Sequence, residues 1–290
     1  MAMTINTNVM SLNAQRNVAS TNTSVATSMQ RLSSGLRVNS AKDDAAGLGI
    51  AERMNAQIRG SNVAMRNAND AISMFQTAEG GMGKIQENLQ RIRELAAQSA
   101  NGTLDDTKDR GSLQTEVDQL TQEISRVVQQ TKFNQTVLFD KAATGSLAVT
   151  AALNFQVGAN KGDTITVVGT GFDLTGLKSY NSTLTNAKTV DISTATAAAN
   201  ALADMDTDLD TISTARSVAG GLQSRFESVV AQLQVLAENT SAARGRIMDA
   251  DFAQETANLS RAQILQQAGS AMVAQANQAP QQVLALLRNF

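Results

Sequence analysis

Three clusters in the sequence have residue types that could do chemistry. Gly80, Gly81, Gly83 and Lys84 in GGMGK suggest a loop that cradles phosphate. Asp43 and Asp44 in SAKDDAAG offer a carboxylate pair, and Asp204, Asp206, Asp208 and Asp210 in DMDTDLD offer oxygen ligands for a cation. Spacing argues against all three. GGMGK lacks the first Gly of a phosphate loop, no Ser or Thr follows its Lys, and it lies inside a helical hydrophobic pattern. Acids just ahead of a helical run complement the helix dipole, which is the expected role of Asp43 and Asp44. The DMDTDLD run has neither the Gly nor the distal Glu of a calcium loop, and reads as a solvated helix face.

Composition removes most other catalytic classes. The 290 residues contain no Cys, no His and no Trp, a single Tyr and a single Pro, and only 3% aromatics. Cys nucleophiles, His general bases, Cys or His zinc sites and disulfides are therefore excluded. Six N-x-S/T sequons open at Asn22, Asn101, Asn134, Asn181, Asn239 and Asn258, as chance allows in so Asn- and Thr-rich a chain. No cofactor and no metal is expected, and the chain reads as a non-enzyme.

Lys and Arg number 24 against 26 Asp and Glu, so no basic excess points to nucleic acid. No run of 18 apolar residues suits membrane insertion, and the N-terminus has neither a charged segment nor an apolar core like a secretory signal. Charge is nevertheless uneven. Acids are absent from Met1 to Lys42 and again from Arg261 to Phe290, so the two ends share a chemistry.

Hydrophobic spacing specifies the elements that would carry any site. Apolar residues recur in steps of three and four, the signature of long coiled-coil-like helices. The first stripe runs Val18, Val25, Met29, Leu32, Leu36, with polar interruptions. A longer one, Met65 to Ala96, includes Ile72, Phe75, Met82, Ile85, Leu89 and Ile92. After the loop NGTLDDTKDRGS the pattern resumes from Leu113 to Val127, and it returns from Leu202 through Phe226 to Ile247. Met272, Ala276, Ala279, Val283, Leu286 and Phe290 form the last stripe, beside Leu284 and Leu287. The terminal stripes are thin, so helices there are marginal alone and are expected to order on meeting partners. Residues 141–195 differ, being rich in Gly, Thr and Val. LNFQVGANKGDTITVVG predicts a β-hairpin, Leu153–Val157 against Thr164–Val168, and Ser193 or Thr194 is placed to cap the next helix.

The expected architecture is mainly α: a long coiled-coil-like helical bundle rod with a small β-hairpin region, its domains made discontinuous by pairing of the two ends. The expected parts are 1–43 with 247–290, 44–140 with 196–246, and the short region 141–195. On the long helix Arg91 and Leu95 lie roughly 90–130° from the inward stripe, which predicts an apolar side chain off the seam. That is either a singly exposed Leu or an intermolecular surface.

Long ordered motifs carry a resemblance: INTNVMSLNAQRN (5–17), RLSSGLRVNSAKDDAAGLGIA (31–51), RNANDAISMFQTAEGG (66–81), LQRIRELAAQSANGT (89–103), TKFNQTVLF (131–139), FQVGAN (155–160) and the run from 241 to 288. In these the chain resembles the bacterial flagellins. The resemblance implies a secreted, extracellular subunit that self-assembles into the helical flagellar filament for swimming. It further implies terminal segments paired as a coiled coil near the filament axis, with Val18, Val25, Leu32, Met272, Ala276, Ala279, Val283, Leu284, Leu286, Leu287 and Phe290 in the packed core. The implied partners are copies of itself, the flagellar export apparatus and a flagellin chaperone, and hook-associated and cap proteins.

Similar flagellins are detected by Toll-like receptor 5 through a stretch that matches Gln90, Arg91, Glu94, Leu95 and Glu116, a patch also implied to be buried between subunits. Residues 141–195 are short where many flagellins insert large variable domains. The alternatives are a hook-filament junction protein and, less well matched, an exported adhesin on a flagellin scaffold.

Overall fold

A computed structural model describes residues 7–105, 108–140, 147–148, 153–169, 172–182 and 189–287, with the backbone alone over 279–287. It is mainly α. Among the described residues five helices, α1 (Val9–Ser34), α2 (Ala45–Ser99), α3 (Asp109–Gln130), α4 (Ala195–Met248) and α5 (Phe252–Leu287), are accompanied by strands β1 (Lys132–Phe133), β2 (Thr136–Val137), β3 (Leu153–Gln156) and β4 (Thr164–Val167). The chain forms two compact units, one of residues 1–56 with 239–290 and the other of residues 57–238.

In the first unit α1 and α5 pair antiparallel, with Asn22 facing Gln266 and Ser28 facing Glu255. Their approach is close: a Cβ placed on Gly269 would lie 2.7 Å from Cγ2 of Val18. The terminal segments are helical over Val9–Ser34 and Phe252–Leu287, each packed against the other. Gly35 ends α1 at φ 71°, the left-handed conformation that glycine adopts without a Cβ penalty. The chain beyond it is strapped to the α4–α5 junction by Arg37 N–H donating to the Met248 carbonyl (2.6 Å) and Ala250 N–H to the Gly35 carbonyl (2.9 Å). A small core of Val38, Ala51 and Met248 fills beneath.

Asp44 caps α2, its Oδ1 accepting from Gly47 N–H at 2.8 Å. Asp43 serves the preceding turn, where Oδ2 accepts from the N–H groups of Ser40 (2.9 Å) and Asn39 (3.1 Å). Those donors, Ser40 first, hold its carboxyl below the ordinary value. The carboxylate pair is therefore structural.

The second unit is built around the long stripe. Phe75, Met82, Ile85, Leu89, Ile92 and Ala96 of α2 are buried with Val117 and Ile124 of α3 and Met205, Ile212 and Phe226 of α4. α3 begins at Asp109, inside the segment read as loop. Arg110 explains the start: its buried guanidinium donates to the Ser99 (2.8 Å), Leu104 (2.9 Å) and Asn101 (2.7 Å) carbonyls, satisfying the chain that leaves α2. The β3–β4 hairpin forms as expected, with Leu153 opposite Val167 and Gln156 opposite Thr164. Each strand is one residue shorter than predicted. Thr194 caps α4 through Ala197 N–H (3.1 Å). A second hairpin, β1–β2, had no sequence expectation; its two-residue turn, Asn134 and Gln135, has φ 47° and 68°, the double positive φ of a tight hairpin.

Candidate functional site

GGMGK lies in the interior of α2, so its backbone N–H groups point along a helix and cradle nothing. Gly81 is there for packing, since a Cβ would meet the Phe139 ring edge and the Thr131 side chain at about 3.0 Å. Lys84 pairs in solvent with Glu87 (2.9 Å). Among the described residues no cluster of three His, Cys, Asp or Glu side chains could hold a metal ion, and no helix is long and apolar enough to cross a membrane.

Asp208 corrects the reading of DMDTDLD as a wholly solvated face. Asp204, Asp206 and Asp210 are exposed, but Asp208 is 2% exposed. Its carboxylate accepts from Lys178 N–H (2.9 Å), Ser179 N–H (3.0 Å) and Ser179 O–H (2.8 Å), clamping the 172–182 segment to α4. Burial pushes this carboxyl above its ordinary value, against the pull of the donors. A folded pKa above the unfolded one means the folded chain binds the proton more tightly. The resulting stability is fully present below the ordinary value of 3.8 and is lost as pH rises through the raised value. Asp208→Asn turns an NH2 toward one of the two backbone donors and is expected to cost about 1–3 kcal/mol. Thermal unfolding at neutral pH checks this. On raising the pH from acid, the wild-type advantage over the variant is expected to shrink.

The patch on α2 and α3 is polar. Arg91 donates through Nε (2.9 Å) and Nη2 (2.8 Å) to Glu116 Oε1 and through Nη1 to Glu94 Oε2 (3.1 Å). These hydrogen bonds, Glu116 first, raise the guanidinium above its ordinary value. Gln90, Arg91, Glu94 and Glu116 are all exposed. Leu95 is not: at 1% exposure it belongs to the core, contrary to the expectation of an off-seam apolar residue. α2 is covered by α3 as well as α4, so its buried face is wider than the single seam that the spacing suggested.

The third surface is on α1 and α5, and its pattern is inverted. The residues that α1 buries are Ser11 and Ser28; among the described side chains of α5 they are Glu255, Ala262 and Ala276. Ser28 O–H donates to Glu255 Oε1 at 2.6 Å, and Arg31 approaches the same carboxylate at 3.8 Å. Large apolar side chains face outward instead: Val9, Met10, Leu12 and Met29 on α1, and Phe252, Ile264, Leu265 and Met272 on α5. Ile264 is 65% exposed and Met272 59%. Met29, on the first stripe, and Met272, expected in the terminal packed core, are both left exposed by the α1–α5 pair. Val18, Val25 and Leu32 are half-buried and Ala276 is buried. The side chains of Ala279, Val283, Leu284, Leu286 and Leu287, and the whole of Phe290, lie outside the described residues.

Comparison with known proteins follows the same division of the chain. Residues 5–144 match the bacterial flagellin N-terminal helical region, and residues 202–287 the bacterial flagellin C-terminal helical region. The chain is 42% identical over 286 residues to a flagellin of Halalkalibacterium halodurans, covering 99% of this chain and 100% of that one. It is 41% identical over 296 residues to the flagellar filament 33 kDa core protein of Treponema phagedenis, with the same coverage. A crystal structure of Bacillus cereus flagellin matches 62% of this chain and 94% of its own, at 30% identity and a TM-score of 0.49.

Proposed function

Because this chain belongs to the bacterial flagellin family, we propose that the outward apolar face of α1 and α5 is the surface through which its copies polymerise. The protein is a structural subunit of the flagellar filament, and its location is the flagellum. One observation carries the reading of the surface: a helix pair that buries Ser, Ala and Glu while exposing Ile264, Leu265 and Met272 has its apolar contacts still to make. The terminal pair forms the inner core of the filament. The subunit is secreted through the flagellar export apparatus with a flagellin chaperone, and meets hook-associated and cap proteins at the filament ends. The family assignment supports each of these partners. Labelling the protein on native flagella tests the role. Label along the whole filament is expected, and label confined to the hook end would instead make the chain a hook-filament junction protein.

The exposed Arg91 group supports a further use, docking of Toll-like receptor 5 on Gln90, Arg91, Glu94 and Glu116. With Leu95 buried, its part is to hold the helix in place beneath that surface. Arg91→Ala is expected to weaken receptor signalling with the thermal midpoint unchanged, because exposed ion pairs add little to stability. Leu95→Ala is expected to lose about 2–5 kcal/mol of stability. A reporter assay beside thermal melts separates the two. Full signalling by Arg91→Ala would remove the receptor role.

A further inference from the structure

Pro280 lies within α5, and a proline has no N–H to give the carbonyl four residues before it. That carbonyl belongs to Ala276. It is not left empty: Asn8 Nδ2, from the start of α1, donates to it at 2.7 Å. Asn8 Oδ1 meanwhile accepts from Ser11 N–H at 3.1 Å, capping α1. One residue along, Ser11 O–H donates to Asn277 Oδ1 at 2.7 Å, and Gln15 Nε2 donates to Ser11 Oγ at 3.3 Å. A single amide thus begins one helix and fills the gap in the other.

We infer that Asn8 and the Pro280 gap form a latch that holds the register of α1 against α5 at the end of the pair away from the α4–α5 junction. Near the α4–α5 junction the pairing is held by Ser28 and Arg31 on Glu255 and by the backbone bonds of Arg37 and Ala250; at the opposite end Asn8 and Ser11 supply the polar contacts. A slip of one turn, about 5.4 Å, would carry Asn8 off the one α5 carbonyl that has lost its helical donor to Pro280. A polar contact at a single seam position selects register in this way. Asn8 and Pro280 are positioning residues: they decide which side chains of the two helices stand together on the outward face. The consequence for polymerisation rests on the reading of that face as the assembly surface.

The chain has no cysteine, so a register probe can be added cleanly. A Cβ on Gly269 would lie 3.9 Å from the Val18 Cβ, within the span of a disulfide, and full-length protein carrying Val18→Cys with Gly269→Cys should cross-link on mild oxidation. Asn8→Ser keeps a capping oxygen but is too short to reach Ala276. Pro280→Ala restores the N–H and satisfies that carbonyl within α5. Asn8→Ser is expected to slow cross-linking by up to about tenfold, the ceiling for one lost hydrogen bond, and to have no such effect once Pro280→Ala is present. Circular dichroism confirms that the helices are retained. An equal loss in both backgrounds, or none in either, overturns the latch. A slowed cross-link with unchanged polymerisation supports the latch and overturns the assembly reading of the face.

Discussion

Ile264→Asp is expected to abolish polymerisation while the monomer keeps its helices and its thermal midpoint. In the monomer Ile264 is 65% exposed, so a carboxylate there stays in water. In a filament the same position would be closed over by a neighbouring copy, and a polar group buried without a partner costs at least about 3 kcal/mol. At 1.4 kcal/mol per factor of ten, that is more than a hundredfold in the critical concentration, and the loss repeats at every subunit added. Sedimentation of polymer across a concentration series reads it directly. Val168→Asp is the control, an exposed apolar residue of the other unit, just past β4; it is expected to polymerise as the wild type does.

Phe226→Ala is expected to be the most damaging single truncation in the unit of residues 57–238. The Phe226 ring stacks on Phe75 at 5.9 Å and meets Phe155 edge-on at 5.4 Å, while Phe75 also contacts Phe172 at 6.1 Å. This cluster joins α2, α4, β3 and the segment after β4 in a chain with only 3% aromatics. Removing the Phe226 ring should cost about 3–5 kcal/mol, on the order of 10 °C in the melting of a unit this size. Differential scanning calorimetry of the full chain checks it.

What was legible in the sequence was what depends on periodicity. The stripe from Phe75 to Ala96 is the core face of α2, the alternation around LNFQVGANKGDTITVVG pairs as read, and Thr194 caps its helix. Misreadings share a cause: a second neighbour that local spacing does not encode. Leu95 is buried because α3 covers a flank that one stripe cannot announce. Asp208 is buried because a loop about 30 residues earlier in the chain returns to it with three donors. Asn8 and Pro280 are both visible in the sequence, but their complementarity needs the antiparallel register that brings Asn8 to the Ala276 carbonyl, 268 residues away.

The central claim is that the outward apolar face of α1 and α5 becomes buried between copies. Thiol labelling tests it most directly, since the chain has no native cysteine. With Ile264→Cys or Met272→Cys, maleimide should react rapidly with monomer and at least about tenfold more slowly with polymer, while Val168→Cys reacts alike in both. Equal labelling of Ile264→Cys in monomer and polymer would contradict the account.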